Sequence, residues 1–458
     1  MPLENIRPDD LLPRTERRAA GHALRRLVPR GQHAGWRPAA DRRDPVELLV
    51  QWNRHRMSSL LPLRHSRMQR SPFAFLRGSA VVMAADLATT PTSGIWLQSC
   101  GDCHLANFTI YSARDGAPVF DLCDFDETLP APFEWDLKRL AVSIAVIARE
   151  RMMPERACRD LARAAVRAYR QHMTKLMRLG PREAWRWRVD VTKVCQEIDD
   201  VKLRQRELKR VQIAADAHRR GYRRLLEKRK GAWYFRRQPP LQPPTASPRD
   251  DTLEVVARTA FEAYRLNQSE ERGILIDRYK LNDVAFNLAG VASIGTFCAL
   301  GLFTDRDGAT LLLQLKEAHP SALAPYTAPS MYVNQGERVV IGQRIMQGDP
   351  DMFLGWTHEP GSDQQCYVRE LKDSKLALVD EAIADAALPH VATLCGAALA
   401  RAHARSGDAA RISGYMGSSG TFDAAVAEFA VEYAIQVESD WRVFVEAIKS
   451  GVIEARSE

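Results

Sequence analysis

Apolar positions along this chain follow two rhythms. From residue 422 onward they recur at helical spacing, with Phe429, Tyr433, Val437, Trp441, Phe444 and Val445 on one face, which predicts a docking helix. Residues 394–404 predict another helix. Between 284 and 318 the rhythm changes to short apolar runs punctuated by Gly290, Gly295 and the turn at 304–308, so the expected order is strand, glycine turn, strand, turn and a strand carrying Lys316. Residues 367–371 read as a further strand, and 119–126 as an acidic strand that follows the turn-rich 112–117. Residues 17–26 form a basic amphipathic stretch, and the first hundred residues otherwise read as helical punctuation.

These patterns predict an α+β protein. Residues 1–99 are an N-terminal helical region, and 100–180 carry a candidate catalytic loop within a helix-rich lobe. Residues 181–250 form a basic helical insert that runs into a stiff linker containing Pro239, Pro240, Pro243 and Pro244. A small antiparallel sheet lobe over 251–372 and C-terminal helices over 373–458 complete the division.

Composition narrows the class. The 458 residues, 45% of them hydrophobic, suffice for a substantial core, and no apolar run reaches the length of a membrane span. The first ten residues lack an apolar signal core, so a cytoplasmic protein with reduced cysteines is expected. Cys100, Cys103 and His104 spell a c-type haem attachment pattern, with Cys123 close by, but haem attachment requires export and zinc a second ligand pair. Packing as small apolar side chains is the preferred reading. The net charge of +8 is concentrated at 182–237, where Trp185, Arg186, Trp187 and Arg188 interleave aromatic and basic groups. Such a segment can contact nucleic acid, although a solvated helical insert with internal acid–base pairs is the favoured reading.

The candidate chemistry lies at 100–126. Asp102 and Asn107 stand five residues apart, and a hairpin could return Asp124 to them. One carboxylate to align a hydroxyl and two oxygen ligands for Mg²⁺ are the equipment of phosphoryl transfer, with Asp102 as base and Asn107 and Asp124 as metal ligands. A solvated loop with a capping aspartate is the alternative.

This stretch resembles the catalytic loop of aminoglycoside and choline phosphotransferases of the protein-kinase-like superfamily, which reads roughly H-G-D-x-H-x-x-N. Gly101, Asp102, His104 and Asn107 match, and Cys100 replaces the first His. Asp124, Phe125 and Asp126 resemble the metal-binding I-D-F-D of those enzymes, and Asp136 follows Asp124 by twelve residues, as the helical aspartate does there. The resemblance implies a kinase-like bilobal fold, ATP and Mg as cofactors, and Asp136 as a brace for the loop. It further implies that Gly290, Ser293 and Gly295 cover phosphates, that Lys316 clamps them and that Glu337 pairs with Lys316. Ala292 stands where a middle glycine is expected, and a plain hairpin bulge or a surface glutamate explains these residues equally simply. Because the lysine strand follows the catalytic loop, the topology would be circularly permuted. His104, Asp121, Asp126, Arg67 and Arg77 are lesser candidates, the arginines because guanidinium forks suit phosphate.

Strings at 71–78, 124–128, 132–140, 315–318, 343–347 and 402–408 resemble a bacterial family, domain of unknown function 2252. The expected activity is ATP-dependent phosphotransfer to a small hydroxylated or amino acceptor. A nucleotide-binding pseudokinase or a basic nucleic-acid-associated module without turnover, and nucleotidyl transfer from the same site, are the alternatives.

Overall fold

The computed structural model describes residues 12–237, 241–242, 250–287, 294–357, 365–371 and 385–456. The helix Phe133–Glu150 is buried continuously from Phe133 to Ala148, because it is apolar nearly all round from Leu140 onward and the charged Glu134, Asp136, Lys138 and Arg139 of its first turns find polar partners. Glu155–Leu176, Leu388–His403 and Thr421–Lys449 surround it and make the main core. The N-terminal helix Arg14–Ala23 packs on Ala409–Met416, where a Cβ on Gly21 would lie 1.9 Å from the Arg411 carbonyl oxygen. No helix among the described residues is long and apolar enough to cross a membrane.

Two short antiparallel ladders present the acidic segment. Strand β1 (Trp96–Ser99) pairs with β4 (Leu129–Pro132), and β2 (Phe108–Ser112) with β3 (Pro118–Leu122). The turns 100–107 and 123–128 are therefore held side by side between the ladders.

The basic segment is not helical throughout. After the helix Val201–Arg220 it forms a hairpin of β5 (Leu226–Arg229) and β6 (Ala232–Phe235). Leu226 and Phe235 of this hairpin pack with Leu300, Leu302 and Leu312, so the apolar positions within the basic run serve a sheet core.

That sheet has six antiparallel strands. Four of them are β7 (Leu241–Gln242), β8 (Lys280–Asn287), β9 (Cys298–Thr304) and β10 (Thr310–Glu317). With β11 (Gly355–Trp356) and β12 (Cys366–Glu370) the spatial order is β11-β12-β10-β9-β8-β7. Period-two alternation sends Leu311, Leu313 and Leu315 toward Phe261 and Tyr264 of the helix Asp250–Leu266. Leu312, Gln314 and Lys316 share the opposite face, where Arg369 and Tyr367 of β12 stand in register with Gln314 and Lys316. The hairpin covers one end of that face, and the other end meets the acidic turns.

Candidate active site

The geometry begins with the loop after β1. Gly101 adopts φ +81°, and a Cβ there would fall 2.1 Å from the Glu127 carbonyl oxygen, so only glycine lets the two acidic turns touch. Asp136, in the first turn of the buried helix, accepts hydrogen bonds from the backbone N–H groups of Cys100 (2.8 Å) and Gly101 (3.0 Å), and His403 Nε2 lies 3.1 Å from it. Asn107 donates through Nδ2 to the Asp102 carbonyl (2.7 Å), and its own carbonyl receives the Cys123 N–H (3.0 Å). Asn107 and the Asp124 turn are thus joined through the backbone.

Asp102 is almost wholly buried and its Oδ1 accepts a hydrogen bond from Arg139 Nε at 2.6 Å, with Nη2 of the same guanidinium 2.5 Å away in the ion pair. Oδ2 is left toward His104, whose Nε2 is 3.6 Å away. Burial pushes the Asp102 carboxyl above the usual carboxylate range, against the pull of Arg139 and Arg77. Burial, with Arg77 and Arg139, holds His104 well below its ordinary value and therefore neutral. Arg139 lies one helical turn after Asp136, within the 132–140 string, but the sequence pattern did not single it out as a site residue.

Lys316 reaches the same place from β10. Its ammonium sits 2.5 Å from Asp126 Oδ2, and Tyr367 donates to Asp126 Oδ1 at 2.5 Å. Burial alone would raise the Asp126 carboxyl, but Lys316 and the Tyr367 hydroxyl outweigh it and hold the group at about 2. Asp124 moves the other way: burial and the neighbouring Asp126 raise it, opposed by Lys316 and Arg369. Arg369 also donates to the Cys123 carbonyl (3.1 Å). The expected partner of Lys316, Glu337, is replaced by Asp126. Glu337 stands in the first turn of the helix Gln335–Met346, where its N–H is capped by Asn334 Oδ1 (3.0 Å). The neighbouring Arg338 donates to the carbonyls of Thr128 (2.6 Å), Asp126 (2.8 Å) and His319 (2.8 Å), fastening the aspartate turn to the segment after β10.

The remaining expected residues are dispersed. Gly290 and Ser293 lie outside the described residues, and Gly295 adopts φ +90° with its carbonyl accepting the Met57 N–H at 2.7 Å. Asp121 is fully buried against Arg401, with Tyr111 Oη at 3.2 Å and the Gly348 N–H at 2.7 Å, so it is a strut within the helical lobe. Arg77 stands on the helix Pro72–Gly78 with its charge facing Asp102 and Asp124, and Arg67 is half-buried on Leu61–Met68. All eight cysteines are free thiols, and Cys100 and Cys103 pack in the core.

A cavity of about 40 Å³ opens where these elements meet, lined by Asp102, Asp124, Asp126, Glu127 and Thr296 among others. The sequence pattern did not single out its remaining wall, in which Trp52, His55 and Arg56 face His319, with the two imidazole rings 4.2 Å apart. Nothing in local periodicity marks such residues, because they come from a helix end and loops more than two hundred positions apart.

Glu127 gives this cavity a pH dependence. Burial raises its carboxyl from 4.5 to about 7, only partly offset by the hydrogen bond from the Ala322 N–H (2.6 Å). A carboxyl raised on folding favours the folded state fully below the unfolded value, and that contribution is lost as pH climbs through the folded one. Stability is therefore expected to decline between about pH 4.5 and 7, by up to ~1.4 kcal/mol for each pH unit crossed. Denaturant titrations across that window should show a flatter profile for Glu127→Gln, and an unchanged slope would contradict the assignment.

Fold and site together define an α+β protein whose antiparallel sheet carries a lysine into a carboxylate-lined cleft on a helical body. The family model described as "Uncharacterized protein conserved in bacteria (DUF2252)" matches residues 56–447, and the chain belongs to that family. No curated protein and no solved structure matches the chain.

Proposed function

We propose that this protein is an ATP-dependent phosphotransferase acting on a small hydroxylated or amino acceptor. The reading is carried by the Lys316–Asp126 contact, which spans 190 residues of sequence and sets a buried ammonium beside the turn that holds Asp124, against the loop that holds Asp102 and Asn107. Its chemistry follows from the side chains. Asp102, held through Oδ1 by Arg139, keeps Oδ2 to orient an acceptor hydroxyl or amine and take its proton, and a carboxyl raised by burial is a better base for that task than an exposed one. Lys316 supplies the compact charge that pairs with phosphate oxygens.

The donor set fits a hard divalent cation. Asn107 spends Nδ2 on the Asp102 carbonyl and so presents Oδ1, while Asp124 offers a carboxylate whose only hydrogen-bond partner among the described residues is the Asp126 N–H at 3.3 Å. Two such oxygen donors leave an ion to complete its shell with phosphate and water, the arrangement Mg²⁺ favours. Bound there, Mg²⁺ would neutralise charge on the transferring phosphoryl group.

The test is direct. The purified full chain is expected to bind ATP only with Mg²⁺ present and to transfer phosphoryl to a member of an alcohol and amine panel, read by mass. A product heavier by a nucleotidyl group would move the reading to nucleotidyl transfer. Mg-dependent binding without any transferred product would make it a nucleotide sensor, and no binding would remove the proposal.

A further inference from the structure

Resting on that reading, we infer that Arg56, a residue outside every sequence motif, binds the terminal phosphoryl group of the nucleotide. The cavity in front of Asp102 holds about 40 Å³, room for roughly three water-sized oxygens, which is the demand of a PO₃ group. Arg56 is the one arginine or lysine among its lining residues. The guanidinium is already anchored, since Nη1 donates to the Ile294 carbonyl at 2.9 Å, and the following Met57 N–H donates to the Gly295 carbonyl at 2.7 Å. A Cβ on Gly295 would sit 3.1 Å from Arg56 Cβ, so the glycine segment closes directly onto this side chain.

What remains is unspent donor capacity. Nε is buried and has no hydrogen-bond partner among the described residues, and Nη2 finds no acceptor among them either. A guanidinium with a buried, unmet Nε–H and an uncommitted Nη2 beside a phosphoryl-sized space is suited to a forked contact with phosphate oxygens. The acidic wall is largely engaged elsewhere: Asp126 is matched by Lys316 and Tyr367, Glu317 Oε2 lies 3.3 Å from His319 Nε2, and Glu127, the carboxyl that acts most strongly on Arg56, accepts from the Ala322 N–H at 2.6 Å. Asp124 is left to the divalent cation. Arg56 would thus serve twice, fastening the end of the glycine segment and sensing whether the last phosphate is in place.

Calorimetric titration of the full chain with Mg·ATP and Mg·ADP separates the possibilities. Arg56→Ala should weaken ATP by roughly tenfold or more, the worth of one hydrogen bond to a charged group, and ADP by less than about threefold. Arg56→Gln, which keeps a donor for the Ile294 carbonyl but not the charge, should show the same ATP-selective loss and guards against a folding defect in the alanine variant. Equal weakening of both nucleotides would mean that Arg56 acts only through the glycine segment, and unchanged affinities that it takes no part; either overturns the inference while leaving the phosphotransferase reading intact. Wild-type protein that binds neither nucleotide overturns both.

Discussion

Asp102→Asn is expected to lower phosphoryl transfer by about 10²–10⁴-fold, the usual contribution of a positioned general base, while Mg-dependent ATP binding stays within a few-fold of wild type. The substitution is nearly isosteric. The amide oxygen can still accept from Arg139, and Arg139 keeps its second bond to the Leu76 carbonyl at 2.9 Å, so the buried guanidinium is not stranded. What disappears is a carboxylate able to accept the proton leaving the acceptor. Turnover measured under saturating nucleotide, beside a melting curve for each protein, distinguishes chemistry from unfolding. Wild-type turnover in the folded variant would remove Asp102 from the mechanism.

The largest stability effect belongs to the Asp121–Arg401 pair. Arg401→Met is expected to destabilise the protein by about 3–5 kcal/mol, the penalty for leaving one partner of a buried ion pair uncompensated. Both side chains are essentially inaccessible, and Arg401 also donates to the Met346 carbonyl, so no water can replace the lost charge. The hydrogen bonds from Tyr111 and Gly348 to Asp121 place the loss toward the lower end of that span. Adding Asp121→Leu to Arg401→Met should restore much of the deficit, because a packed apolar pair avoids the burial cost. Urea unfolding of the four proteins measures both effects, and a single-variant loss below about 1 kcal/mol would show that solvent reaches the pair.

Legibility followed the range of each interaction. The α+β class was readable because long apolar helices and alternating strands carry their periods openly, and the place of Lys316 on a strand was readable because leucines dominate the run before it. The contacts of Asp136 with the amides of Cys100 and Gly101 join two short motifs that local spacing already ties together. The lysine partner was not readable. Choosing Asp126 over Glu337 depends on how β10 faces the aspartate turn, and a strand period fixes a face without naming the residue opposite it. Arg56, His55 and His319 leave no trace in the sequence because they form one cavity wall only after distant segments converge. The basic run at 182–237 misled for a related reason. Its charges favour a solvated helix, whereas the few apolar residues near its end, Leu226 and Phe235, belong to the sheet lobe.

The packing of Arg14–Ala23 on Ala409–Met416, and the enclosure of Phe133–Glu150 by Thr421–Lys449, bear on how this polypeptide is made. A ribosome exposes the central greasy rod long before it delivers the segments that sheathe it. Assembly of the helical half must therefore wait until Thr421–Lys449 has emerged, and during that interval the apolar rod stays open to aggregation.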